Sequence, residues 1–72
     1  MDINKLPLLQ KIGVRHKELR NLVNSTPNLN ELDSLLITQL FSEMMWLESI
    51  EFQKNHLLAV EKMIQIVKKY PK

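Results

Sequence analysis

Cysteine is absent from this chain of 72 residues, and glycine occurs once, at Gly13. Without thiols there can be no disulfide and no thiolate metal site, which fits a reducing compartment. A single glycine leaves no room for a glycine-rich phosphate loop or a dinucleotide fingerprint. No apolar run is long enough to span a bilayer. Prolines are three, and all stand where a helix would start or stop: Pro7, Pro27 and Pro71. Histidines are two, His16 and His56, with no second ligand or nucleophile at a familiar spacing. No catalytic, cofactor or metal site is therefore expected, and the chain does not read as an enzyme.

The residues that are present favour helix. Hydrophobic residues make up 44% of the chain, enough for a globular fold. The apolar positions recur at three and four, and no alternating run bounded by glycines appears. The expectation is an all-α protein, residues 1–72 forming one domain, built as a small antiparallel helical hairpin or a three-helix bundle. In a first helix, about residues 6–24, Leu9, Ile12, His16, Leu19 and Val23 follow one seam. Pro7 sits in its first turn, and His16 reads as a boundary histidine of that seam. Gly13 weakens the helix by about 1 kcal/mol relative to alanine.

The stretch "NSTPNLNE" breaks this helix, since Pro27 disfavours helical geometry at Thr26. A capping box from Asn28 to Glu31, or Thr26 as N-cap, would start a second helical stretch. Residues 28–70 are then helical, stopped by Lys68, Lys69 and Pro71. At 100° per residue, Leu29, Leu32, Leu36, Leu40, Leu47 and Ile50 share one direction, while Met63, Val67 and Tyr70 point to the opposite side. Either a turn near 53–56 resets the phase, or one helix offers different faces to different neighbours.

Charge is partitioned along the chain, although the net charge is only +2. Residues 1–24 carry five bases against two acids, residues 25–53 five acids and no base, and residues 54–72 five bases against one acid. Such a pattern favours the acidic middle packing between basic ends over a single nucleic-acid-binding surface. Glu43, Glu48 and Glu51 read as the solvated side of a helix. The N-terminus has Asp2 ahead of any base and does not read as a secretory signal, so a cytoplasmic location is expected.

The segment "FSEMMWLESIEF" holds seven large apolar side chains in twelve positions. Successive helical residues point 100° apart, so three consecutive bulky residues cannot all face one core. Phe41, Met45, Trp46 and Phe52 are the candidate partner-binding residues, with Trp46 as the anchor. Met44 and Leu47 would lie inward with Leu40 and Ile50. The expected function is a non-enzymatic helical interaction module that binds another protein or self-associates. A small homodimeric nucleic-acid-binding regulator of phage or plasmid type is the alternative.

The C-terminal third, "FQKNHLLAVEKMIQIVKKY", is similar to the tail of the small partner chaperones of type III secretion needle proteins. Phe52, Gln53, Asn55, Leu58, Ala59, Val60, Glu61, Ile64 and Val67 carry the resemblance. It implies an antiparallel helical hairpin that binds a larger helical-repeat chaperone, the two keeping a needle subunit monomeric in the cytosol.

Overall fold

The computed structural model describes residues 7–71; the side chains of Met45 and Trp46, two of the candidate partner-binding residues, lie outside the described residues. Three α-helices are present, α1 at Leu8–Asn24, α2 at Glu31–Ser42 and α3 at Ile50–Lys68, with a 3-10 segment at Glu43–Trp46 between the last two. The fold is all-α, and no strand occurs among the described residues.

Each boundary has a chemical cause. Pro7 precedes α1, and its carbonyl accepts the Lys11 N–H at 3.0 Å. At the other end Ser25 Oγ donates to the Asn21 carbonyl and Thr26 Oγ1 to the Leu22 carbonyl, both at 2.7 Å, adding side-chain donors to carbonyls of the last turn that the Ser25 N–H also reaches. The N-cap of α2 is Asn30, whose side chain accepts the Asp33 N–H at 2.7 Å, rather than Asn28 or Thr26. Thr26 is buried instead and serves the end of α1. Glu31 and Asp33 stand in the first turn of α2, where the helix dipole favours acids.

Neither alternative for residues 28–70 is found: no turn falls at 53–56, and the stretch is not one helix. The chain breaks upstream, at Leu47–Ser49, and α3 then runs without interruption. Ser49 is the cause, because its Oγ accepts the Phe52 N–H at 3.0 Å and starts a new helix. The 3-10 segment turns more tightly than an α-helix and the chain then leaves the helical conformation, reaching an extended Ser49, which resets the hydrophobic phase before Gln53 is reached.

The helices run up, down and up. The starts of α1 and α3 adjoin where Leu8, Leu9 and Lys11 meet Ile50, Gln53 and Lys54, and further along Glu18 meets Lys68, so these two helices are parallel. Between them α2 runs the other way, its start beside Tyr70 and its end beside His56. The core comprises Leu19, Ile37, Leu40, Val60, Met63, Ile64 and Val67, with Ile12 fully buried on α1. Packing of α1 on α3 accounts for most of it, and α2 is the lesser partner.

The inward face of α2 also differs from the sequence reading. Ile37 and Leu40 are buried, whereas Leu32 is 67% exposed and Leu36 42% exposed. Ile50 and Met44, expected inside, are exposed as well. Leucines stand on both flanks of α2, so hydrophobicity alone does not say which flank the neighbours take.

Two substitutions separate the seam from the surface. Leu19→Ala should cost ~2–5 kcal/mol in urea denaturation, because the side chain has no exposure and its loss leaves a cavity. Gly13→Ala should raise stability by ~0.5–1 kcal/mol, since a Cβ there meets nothing within 4 Å and the helical backbone gains rigidity.

Candidate functional site: a buried histidine pair beside an apolar groove

His16 and His56, forty residues apart, meet inside the bundle. Their Nε2 atoms lie 2.8 Å apart, one imidazole donating and the other accepting. Seam packing brings them together: His16 stands one helical turn from both Ile12 and Leu19 on α1, and His56 one turn before Val60 on α3. Glu43, from the 3-10 segment, places Oε2 3.4 Å from His56 Nδ1. A carboxylate at Nδ1 favours the tautomer with its proton there, which leaves His56 Nε2 as acceptor and makes His16 the donor. Phe41 closes the pair from α2, its ring edge-on to His16 at 5.0 Å.

The electrostatics oppose a second proton. Burial, then the neighbouring His56 and the Arg20 guanidinium, push the His16 pKa from its ordinary 6.5 down to about 4. Arg20 itself lies over the Phe41 ring, 5.3 Å from its centroid. Because the two Nε2 atoms face each other, the pair is arranged to hold one shared proton across the α1–α3 seam. No group of three or more histidine, cysteine or carboxylate side chains suited to a metal ion occurs among the described residues.

On the other side of α2 lies a groove of about 470 Å³ between α2 and α3. Leu36 and Leu40 line it from α2, and Ala59, Met63 and Ile66 from α3; Glu43 and Lys62 stand on opposite walls. Leu32 and Leu35 extend the apolar face along α2, both more than half exposed. Together these residues form an open apolar surface on a small domain.

The sequence-derived candidates fall in different places. Phe41 is half-buried at the seam, packed against His16 and Arg20. Phe52 is 40% exposed on α3. The side chains of Met45 and Trp46 are the ones outside the described residues. Sequence reasoning misses the pairing of His16 with His56 and the leucine face of α2. His56 carries no local signal, because its partner is distant in sequence; the spacing of Leu32 and Leu36 is visible but reads as core.

The expected ion pairing between the acidic middle and the basic ends is largely replaced by pairing of α1 with α3. Arg15 meets Glu18 at 2.9 Å and Glu61 at 3.7 Å, and Lys68 meets Glu18 at 3.5 Å. All these side chains are partly exposed, so each pair contributes under ~1 kcal/mol. At the start of α2, the Tyr70 hydroxyl donates to the Asp33 carboxylate, which raises its pKa above the ordinary 10.0.

The arrangement defines a three-helix bundle with a buried polar seam and an open apolar face. Comparison with family models, with curated proteins and with solved structures finds no match to the chain.

The histidine pair gives the fold a pH dependence of known sign. In the unfolded chain His16 takes up its proton near pH 6.5, in the folded chain only near 4. The stabilisation is fully present above pH 6.5 and is lost as pH falls toward 4, by on the order of 2–3 kcal/mol. Urea midpoints at neutral and mildly acid pH should show this fall. His16→Leu, which binds no proton, should flatten it while lowering stability at neutral pH by leaving the His56 ring without its partner. An unchanged pH slope in that variant would remove His16 from this role.

Proposed function

We propose that the protein is a non-enzymatic helical interaction module that binds protein through the face formed by α2 and α3. The observation that carries this reading is the exposure of Leu32, Leu35 and Leu36 beside the apolar groove over Leu40, Ala59, Met63 and Ile66. Leucines at i, i+3 and i+4 on one helix are the anchor spacing used by helices that enter hydrophobic grooves. A chain of this size buries few side chains of its own, so an additional apolar contact has a large effect on its stability.

The chemistry of the histidine pair supports the same reading. Both rings are buried and their Nε2 atoms are engaged with one another, which favours a structural role over proton transfer to a substrate. A nucleic-acid role draws less support. Arg15 is paired with two glutamates and Arg20 is stacked on Phe41, leaving Lys11 and Lys17 as the other bases of α1.

The resemblance of the C-terminal third to needle-protein co-chaperones names the finer form of this proposal: a cytoplasmic co-chaperone for a type III secretion needle subunit. The residues of that resemblance include Ala59, which lines the groove, and Phe52 and Leu58, which are exposed on α3. Light scattering of the purified chain alone, and with a needle subunit and its helical-repeat chaperone, tests both levels. A complex in the mixture is expected, and Leu36→Asp should weaken it by at least ~2 kcal/mol without loss of helical circular dichroism. Association with the needle proteins that ignores Leu36→Asp would place the binding face elsewhere. Absence of a complex with them would remove the co-chaperone form.

A further inference from the structure

We propose that the α2–α3 face takes a second copy of this chain, in a two-fold dimer whose axis runs parallel to the helices and through the groove. This rests on the reading of that face as an interaction surface and names the occupant it takes when no other protein is bound. The structure supplies both halves of the contact. One wall of the groove carries Leu36 on α2, with the exposed Leu32 one turn before it continuing the ridge, and beside it runs a trough over Ala59 and Ile66 on α3. Rotation about such an axis lays α2 of one copy over α3 of the other, so each ridge enters the other trough. The direction of the helices is preserved by this rotation. Because α2 runs opposite to α3 within a copy, it also runs opposite to the α3 it meets, and the four helices form an antiparallel bundle.

Charge selects this operator over the other way of pairing the face with itself. Glu43 stands on the α2 wall and Lys62 on the α3 wall of the same groove. An axis parallel to the helices exchanges the walls, bringing each Lys62 over the partner copy's acidic α2 wall and each Glu43 over the partner copy's Lys62. An axis across the helices would lay α2 on α2, acid against acid, in a segment that has no base from residue 25 to residue 53. An isologous contact needs a face complementary to itself, and this face carries one carboxylate, Glu43, on one wall and one ammonium, Lys62, on the other, with an apolar floor between them.

The dimer also accounts for the apolar excess of α2. Ile37 and Leu40 already bind it to its own chain, whereas Leu32 and Leu36 stay exposed. In the four-helix arrangement they become core.

Sedimentation equilibrium of the full chain at neutral pH is the test, with three variants. The unmodified chain is expected to be dimeric, and Leu36→Asp monomeric with its helical content retained. Lys62→Glu should weaken the dimer about tenfold through two like-charge contacts, whereas Lys62→Arg, which keeps the charge, should leave it intact. A dimer indifferent to Leu36→Asp overturns the proposal. If the unmodified chain is monomeric up to ~1 mM, methyl relaxation by a soluble nitroxide separates two failures. Accessible Leu36 and Ile66 methyls overturn the second copy and leave the face open to another protein; shielded methyls overturn the interaction surface as well.

Discussion

The contact on which the rest of the structure depends is the one between the two imidazoles. A histidine buried alone leaves a donor or an acceptor unsatisfied, at a cost of ~1–3 kcal/mol. Two histidines meeting through Nε2 satisfy one another, and they can do so at only one register of α1 against α3. Sliding either helix by a turn would separate the rings and bury each without a partner. The apolar residues around them, Ile12 and Leu19 on one side and Val60 on the other, tolerate several registers; the polar pair does not. Hydrophobic burial thus holds the helices together, and the histidines determine how they align.

That alignment fixes the position of α2 in turn. The helix is pinned at both ends by polar contacts to α3 and the residues just after it. At its start the Tyr70 hydroxyl accepts the Asn30 N–H at 3.3 Å and donates to Asp33, and just beyond its end Glu43 reaches His56. Between these points Ile37 and Leu40 enter the core. The middle of the helix is held at a set height above α3 without being drawn fully onto it. A groove between two helices whose ends are fixed keeps its walls apart, and this is why an apolar trough stays open in so small a protein.

Much of this architecture is legible in the sequence, for reasons that can be named. The all-α class follows from spacing, and the seam of α1 can be read at Ile12, His16, Leu19 and Val23 because one flank is apolar and the opposite flank carries Lys17, Asn21 and Asn24. The phase of α2 is not legible, because Leu32 and Leu36 on one flank compete with Ile37 and Phe41 on the other. Both choices bury large side chains, and the neighbours decide between them. The break before α3 is misplaced by sequence reasoning for a related reason. Polar residues at Gln53–Asn55 resemble a turn, but on a helix three adjacent polar residues can occupy the exposed arc, while the single hydroxyl of Ser49 is sufficient to start the helix. The histidine pair lies beyond reach, since nothing local to either residue reports a partner forty positions away.

The distribution of charge gains a meaning once the ion pairs are located. Bases on α1 and α3 meet Glu18 and Glu61, which belong to the basic segments themselves, and the acids of α2 are left with hydrogen-bonding and capping duties at its start. Glu43 is the exception, because it links the two halves of the molecule. On one side it orients the buried histidines, and on the other it forms a wall of the apolar groove. A ligand charge placed against that wall acts on the same carboxylate that fixes the His56 tautomer. The α1–α3 seam and the groove wall thus share one side chain, and the carboxylate that meets the buried histidine also sets the charge of that wall.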